Sequence, residues 1–402
     1  FVNEKKMNGS MAQLAEKIHK MGMKFGLWFE PEMISEDSDL YRAHPDWAFA
    51  IPGRVPNHSR NQLVLDFSRK EVRDYIYEQM KAILSSANIE YVKWDMNRNF
   101  SDIYSPYLPA AKQGETAHRY VLGLYQIMEE LTTRFPKILF EGCSAGGNRF
   151  DLGILCYFPQ IWASDNTDAL CRTGIQNSYS YGYPLSVFTA HVSSCPNHQT
   201  LRITPLETRF QVASFGILGY ECNLKDLSGS DLNAIREQIA FYKKWRDVFQ
   251  FGSFYRGAEN EASDSETLSW TCVSPDGRRA VGLFFRRLTV PNQSHDWYRP
   301  VGLLPDVKYH FYGRNIKYNL KDFGDLVNTV SPIHIKQGSA LQEILSRFVN
   351  MDGEKEDLTA YGDTLMRAGI ALKPAFAGTG YNSDTRLFPD FSSRIYFMEA
   401  VE

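Results

Sequence analysis

The sequence predicts an α/β fold, a (β/α)8 barrel of the TIM type represented by six strand–helix units and followed by an antiparallel β domain. Three observations predict it. Short apolar runs alternate with amphipathic stretches from Lys24 to Phe249. The glycine motifs of nucleotide-binding sheets do not occur, and the hydrophobic period changes after about Gly257.

The strand candidates, in chain order, are Lys24–Phe29, Tyr91–Asp95, Ile138–Glu141, Gln160–Ala163, Leu185–Ala190 and Ile217–Cys222, each rich in β-branched or aromatic residues. Helices between them carry their own start signals. Ser10 with Gln13, and Ser68 with Glu71, have the spacing of a capping box, in which two backbone donors are satisfied reciprocally. Apolar stripes follow at helical spacing, Leu14, Ile18 and Met21 in the first case and Val72, Ile76, Met80 and Ile83 in the second. A last helix is expected over Asp231–Phe249, with Leu232, Ile235, Ile239, Phe241 and Trp245 inward. Beyond it, Thr267–Val273 and Ala280–Phe285 flank Pro275-Asp276-Gly277 and read as a hairpin, because Pro presets φ and Gly permits a positive one. The expected domains are thus 1–255, the barrel, and 256–402, an antiparallel β-sandwich domain. Six strands do not close an eight-stranded barrel, so an open doubly wound sheet competes. No G-x-G-x-x-G or G-x-x-x-x-G-K-[ST] supports that competitor.

Composition narrows the partners. Lys plus Arg number 44 against 47 Asp plus Glu, and a net charge of −3 gives no reason to expect nucleic acid or an anionic membrane. No apolar run approaches a membrane span, and no signal peptide is visible. The six cysteines stand singly without CxxC pairing, which favours a reduced, cytoplasmic setting without disulfides. Neutral small substrates fit this chain best, and 14% aromatic residues suit a ligand with flat apolar faces edged by hydroxyls.

In a barrel the chemistry sits at the C-terminal ends of strands. Trp28-Phe29-Glu30-Pro31-Glu32, Lys93-Trp94-Asp95-Met96-Asn97-Arg98, Glu141-Gly142-Cys143-Ser144, Trp162-Ala163-Ser164-Asp165-Asn166 and His191 are polar groups closing apolar runs. Asp95 and Asp165 each follow a strand beside a Trp and an amide, and glycoside cleavage needs such a carboxylate pair: one attacks the anomeric carbon, the other delivers a proton. The proton donor needs its pKa raised by desolvation or a neighbouring negative charge. Lys93, two positions before Asp95, shares its side of the strand and is expected to keep it ionised. Equally, either aspartate could cap the next helix.

These segments, with Leu27-Trp28-Phe29-Glu30-Pro31-Glu32-Met33 and Trp162-Ala163-Ser164-Asp165-Asn166-Thr167-Asp168, resemble glycoside hydrolase family 36, the microbial α-galactosidases. The resemblance runs through the whole chain. It implies a retaining hydrolase of terminal α-galactosyl residues in melibiose, raffinose and stachyose, with no metal or cofactor. Asp95 matches the family's nucleophile and Asp165 its acid/base, at the family's usual spacing of 70 residues. Trp28 matches an apolar wall under the sugar, while Arg60, Lys93 and Asn97 match groups that bind its hydroxyls. Cys143 matches a pocket wall, and Trp162 the leaving-group side. Full-length members are similar in forming homo-oligomers, commonly tetramers.

Phe1 resembles the end of an Asp-Asp-Gly-Trp-Phe motif whose paired aspartates distinguish galactose from glucose. The resemblance thus implies that an N-terminal β-sandwich domain, barrel strands one and two and those aspartates precede this chain. For a molecule beginning at Phe1 the expectation is an unclosed barrel with exposed edges, prone to aggregate and inactive. A non-catalytic sugar-binding remnant, an α-N-acetylgalactosaminidase and a galactosyl transferase are the neighbouring readings. Two rivals come from other classes. Gly142-Cys143-Ser144-Ala145-Gly146 fits the G-x-S-x-G of an esterase with Ser144 as nucleophile, but Gly147-Asn148-Arg149-Phe150-Asp151 is a poor helix start. His191, Cys195 and His198 suggest a metal site that lacks a fourth ligand. Asp168 is expected to open a helix, and Asp151 to pair with Arg149 or another basic group.

Overall fold

In the computed structural model, residues 3–7, 9–258, 266–290, 296–329, 331–372 and 387–401 are described, so Phe1 lies outside the described residues. The chain divides into two compact units, 1–165 and 166–402.

The first unit is built on four strands, β1 (Gly26–Phe29), β2 (Tyr91–Trp94), β3 (Leu139–Gly142) and β4 (Gln160–Trp162), hydrogen-bonded side by side in that order. All pairs are parallel, with Phe29 opposite Trp94, Trp94 opposite Gly142, and Gly142 opposite Ile161. α1 (Met11–Lys20) precedes β1, and between the strands run α2 (Lys70–Ser85), α3 (Thr116–Arg134) and the single turn α4 (Leu152–Leu155). Parallel neighbours require such crossovers. The strands fall within the expected runs to within one or two residues at most ends.

α1 starts as expected: Ser10 and Gln13 form the complete capping box. α2 does not. Its N-cap is Arg69, without a side-chain cap, because Ser68 donates its hydroxyl to the buried Asp66 and Glu71 turns to the Arg69 guanidinium. A buried carboxylate outcompetes the helix end for a nearby hydroxyl, since leaving it unpaired would cost the full desolvation penalty. The buried stripe of α2 also runs Val72, Ile76, Met80 and Leu84, with Ile83 turned outward. In α1 the expected stripe is covered only in part, with Met21 exposed. Phe67, Val72, Val92, Trp94, Tyr120, Met128 and Phe140 form the centre of this unit's core.

The second unit contains α5 (Ala169–Tyr179), β5 (Phe188–Ser193), α6 (Leu206–Ser214), β6 (Ile217–Glu221) and α7 (Gly229–Phe251), with β5 and β6 parallel. β5 begins later than expected, because Leu185–Val187 winds into a 3-10 turn after Pro184. On α7 the buried positions are Ile235, Gln238, Tyr242, Trp245, Val248 and Phe249, so the inward face is rotated from the expected one. After it, β7 (Ser253–Arg256), β8 (Thr267–Val273), β9 (Arg279–Arg286), β10 (Lys308–Gly313), β11 (Asp357–Tyr361) and β12 (Ser392–Ala400) form one antiparallel sheet in the order β11-β10-β12-β9-β8-β7. The expected hairpin is β8–β9, in register from Val273 opposite Ala280 to Thr267 opposite Arg286. Tyr298, Tyr309, Phe311, Tyr396 and Met398 pack on this sheet.

Gly123 on α3 tests the packing of the first unit. A Cβ there would lie 2.0 Å from the Phe67 carbonyl oxygen, a backbone atom fixed further by the Arg73 guanidinium. Gly123→Ala is therefore expected to destabilise the unit by about 1–3 kcal/mol, near the upper end, although Ala is the better helix former. Chemical denaturation of the two proteins measures this; equal stability would refute the close approach.

Candidate active site

Because β1 to β4 are parallel, their C-terminal ends lie at one edge of the sheet, and the polar residues that close each run gather there. Asp95 continues the ladder by one step, its N–H donating to the Phe29 carbonyl at 2.8 Å. Trp94, just before it, is fully buried, so Asp95 points to the opposite face and retains 7% exposure.

Four donors converge on the Asp95 carboxylate. Oδ2 accepts from Asn97 Nδ2 at 2.6 Å and from Trp28 Nε1 at 3.3 Å, and Oδ1 accepts from the Met96 N–H at 2.8 Å. The Cys143 thiol supplies the fourth. Burial pushes the Asp95 pKa up, but the hydrogen bonds from Cys143, Asn97, Met96 and Trp28 together outweigh it and hold the carboxyl below its ordinary value. The thiol responds oppositely: burial and the adjacent Asp95 push Cys143 up, so it stays protonated and remains a donor. Cys143 is 4% exposed, bonds Asp95, and lines a small cavity with Gly142, Ser144, Gly146 and Arg149.

Trp28 is the reverse case, an indole 52% exposed whose edge alone is tied down. Asn97 also donates to Glu30 Oε1 at 2.8 Å, and Arg60 approaches the same oxygen at 3.7 Å. Arg60 and Asn61 both have positive φ, 54° and 58°, in a tight turn bridged by Ser59 and Gln62. Side chains rarely adopt this conformation without a compensating constraint. Arg98 supplies one, donating to the carbonyls of Gln62 and Asn57 from the loop after β2.

A second group forms around β4. Asp165 is exposed and accepts from Trp162 Nε1 at 2.8 Å, while Trp162 itself is buried. Lys93 lies 4.3 Å from the Trp162 ring centroid, and its ion partner is Glu141 at 3.4 Å. Lys93 was expected to help keep Asp95 ionised; its ion-pair partner is Glu141, a buried carboxylate on the neighbouring strand, and the leading contributions that lower Asp95 are hydrogen bonds. The two groups sit on strands separated by β3, about 9–10 Å between strand axes. The β3 loop joins them: Cys143 bonds Asp95, and Gly146, at φ 87°, is so close that a Cβ would lie 3.2 Å from the Asp165 nitrogen.

Sequence reasoning gave no site role to Glu30, Glu32, Glu141, Arg98 or Arg149, although all five lie in or beside the strand-end segments. Only partner geometry distinguishes them from surface charges. Asp151 does not pair with Arg149; it caps α4 through the Ile154 N–H, while Arg149 reaches Glu32. Asp168 does open α5, and also binds Arg202. Ser144 donates its hydroxyl to the Met96 carbonyl, and the next helix starts only at Leu152, so the loop has no nucleophile elbow. His191 pairs with Glu221, and among the described residues no three His, Cys, Asp or Glu side chains converge as metal ligands would.

Comparison with known proteins gives the family. The Melibiase family model matches residues 1–252, and the model of the glycosyl hydrolase family 36 C-terminal domain matches 267–398. α-Galactosidase 1 of Pediococcus pentosaceus is 48% identical over 308 residues, 77% of this chain and 42% of that protein. Two crystal structures of variants of the α-galactosidase AgaA of Geobacillus stearothermophilus align over 100% of this chain and 48% of theirs at 40% identity. One, in complex with raffinose, gives a TM-score of 0.81. The other, in complex with stachyose, gives 0.82. The chain thus spans less than half the length of these relatives, and its fold is the corresponding part of theirs, a partial (β/α) barrel followed by an antiparallel β domain.

Asn97→Ala tests the electrostatics. A carboxyl held low in the folded state contributes stability that is present above its unfolded pKa and disappears as pH falls through the folded value. Removing the Asn97 donor is expected to cost about 1.5–3 kcal/mol at pH 7, with the gap to wild type narrowing as pH falls below about 4. Denaturant melts between pH 2.5 and 7 read this directly. A gap that is constant with pH would contradict it.

Proposed function

The chain belongs to the Melibiase family, and on that basis we propose that it carries the carboxylate machinery of a retaining α-galactosidase. The carrying observation is Asp95, a buried carboxylate held ionised by four oriented donors beside the exposed face of Trp28. An anion so placed can attack an anomeric carbon while a sugar ring stacks on the indole. Asp165, one strand beyond β3 and exposed, is the proton donor in this reading. Substrate arriving over it supplies the desolvation that an acid at neutral pH requires. Trp162 orients its carboxyl.

Arg60, Asn97 and Lys93 are hydroxyl-binding candidates, with Trp162 on the leaving-group side. Charge builds up on the sugar, not on a leaving anion, so fixed acceptors around an oxocarbenium-like centre favour the transition state. The substrate class, terminal α-galactosides of the raffinose and stachyose kind, is taken from the relatives crystallised with those sugars. We attach a homo-oligomeric whole protein to the same reading, and a cytoplasmic setting supported by six free cysteines. Among the described residues no helix is long and apolar enough to cross a membrane.

In the whole protein, with the segment that precedes Phe1 present, a fluorinated galactosyl donor should trap the covalent intermediate, and peptide mapping should find the label on Asp95. Asp165→Ala should still be labelled by a donor with an activated leaving group, yet lose raffinose hydrolysis by about 10²–10⁴-fold. A label on any other residue would overturn the assignment.

A further inference from the structure

Glu32 is fully buried, and its two oxygens accept four hydrogen bonds: from Trp94 Nε1 at 2.7 Å, from the Tyr120 hydroxyl, and from Arg149 at 2.8 and 3.0 Å. That fills the acceptor capacity of a carboxylate. Each donor has a second connection. Trp94 immediately precedes Asp95, and its carbonyl receives the Cys143 N–H at 2.8 Å. Arg149 donates its other terminal nitrogen to the Cys143 carbonyl at 3.3 Å. Tyr120 brings in α3 and is stacked on Phe67 in the core. Burial and Glu32 both push the Tyr120 phenol up, so it remains a donor. For Arg149, burial pushes down, but Glu32 and Tyr120 prevail and hold the guanidinium above its ordinary value.

We propose that the Glu32–Arg149 pair is a positioning device for Asp95, gripping the residue before it and the loop residue whose thiol bonds it. The inference rests on Asp95 being the nucleophile. An ion pair buried in this way contributes little net stability compared with apolar residues of the same shape, because desolvating both charges offsets their attraction. Its value lies in direction. Glu32, Trp94, Cys143 and Arg149 come from the segments after β1, at the end of β2 and after β3, so one fixed carboxylate sets the relative placement of three strand ends. Without it the thiol and the strand end would keep their chemistry but lose their aim, and a donor misplaced by a fraction of an ångström weakens steeply.

The test uses the full chain and two substitutions outside direct contact with Asp95. Arg149→Lys keeps the charge and loses the fork that reaches Glu32 and the Cys143 carbonyl together. Tyr120→Phe removes one donor and preserves the ring, so it folds even if the first does not. Carbon-13 labelling of aspartate carboxyls, with Asp95→Asn for assignment, follows the Asp95 titration itself. The Arg149 charge also acts on Asp95 through space and is retained in Arg149→Lys; the other charged groups near Asp95, Glu30 through Asn97, and Lys93 with Glu141, are unchanged in both variants.

The expected result is an upward shift of the Asp95 midpoint, by about one pH unit in Arg149→Lys and by a few tenths in Tyr120→Phe. Trapping by the fluorinated donor should slow about tenfold in Arg149→Lys, with the concentration dependence of trapping little changed. Midpoints equal to wild type in a folded variant, with only the melting temperature lowered, would overturn the positioning role. If the wild-type whole protein, extended by the segment that precedes Phe1, is not trapped at all, the α-galactosidase reading fails, while the Asp95 midpoints still decide whether the pair positions that carboxyl.

Discussion

The parallel ladder of β1 to β4 is the constraint on which the site depends. Parallel strands deliver every C-terminal end to one edge, and a fixed register decides which residue of each closing segment faces which neighbour. Asp95 extends that ladder by one hydrogen bond to Phe29, which places Trp28 within reach of its carboxylate. A one-residue slip of β2 would present Trp94 to the site and bury Asp95 beside Phe158 and Glu32. The alternation of half-buried Tyr91 and Lys93 with buried Val92 and Trp94 opposes that slip, since half the strand would have to exchange apolar for polar surroundings.

Much of this was legible in the residues. Strand runs and the first capping box depend on local patterns, and local patterns were satisfied. The errors lie where a distant group competes. Ser68 has the right spacing to cap α2, but Asp66 claims its hydroxyl. Lys93 has the right alternation to face Asp95, but Glu141 from β3 holds it. Ile83 is as apolar as Leu84, yet the face of α2 that meets α3 is decided by packing. Glu32 shows the limit most clearly, since a carboxylate in a strand-end loop reads as a surface charge until its three donor residues, 62 to 117 residues away, are known.

The second unit repeats the chemistry of the first without a reactive group beside it. Glu354 and Arg394 are buried and paired at 2.6 Å, and the Tyr318 hydroxyl donates to Glu354 while accepting from Arg394 at 2.9 Å. Burial is the main reason that the Tyr318 pKa is pushed up to about 12, which keeps its proton in place. A carboxylate, an arginine and a tyrosine are enough to satisfy a buried charge wherever loops must be pinned. What differs at Glu32 is the company: its partners are the neighbours of Asp95.

The shared amide of Asn97 has a further consequence in time. Its two N–H bonds are both spent, one on Glu30 and one on Asp95, which fixes the amide's orientation and turns its oxygen away from both carboxylates. Hydrolysis of that amide to a carboxylate, the commonest spontaneous ageing of asparagine, would exchange a double donor for a third anion between two existing ones. Three neighbouring carboxylates would then repel one another. Loss of ammonia from that amide would thus set a clock on the site, and the half-buried setting of Asn97, with both N–H bonds engaged, slows it.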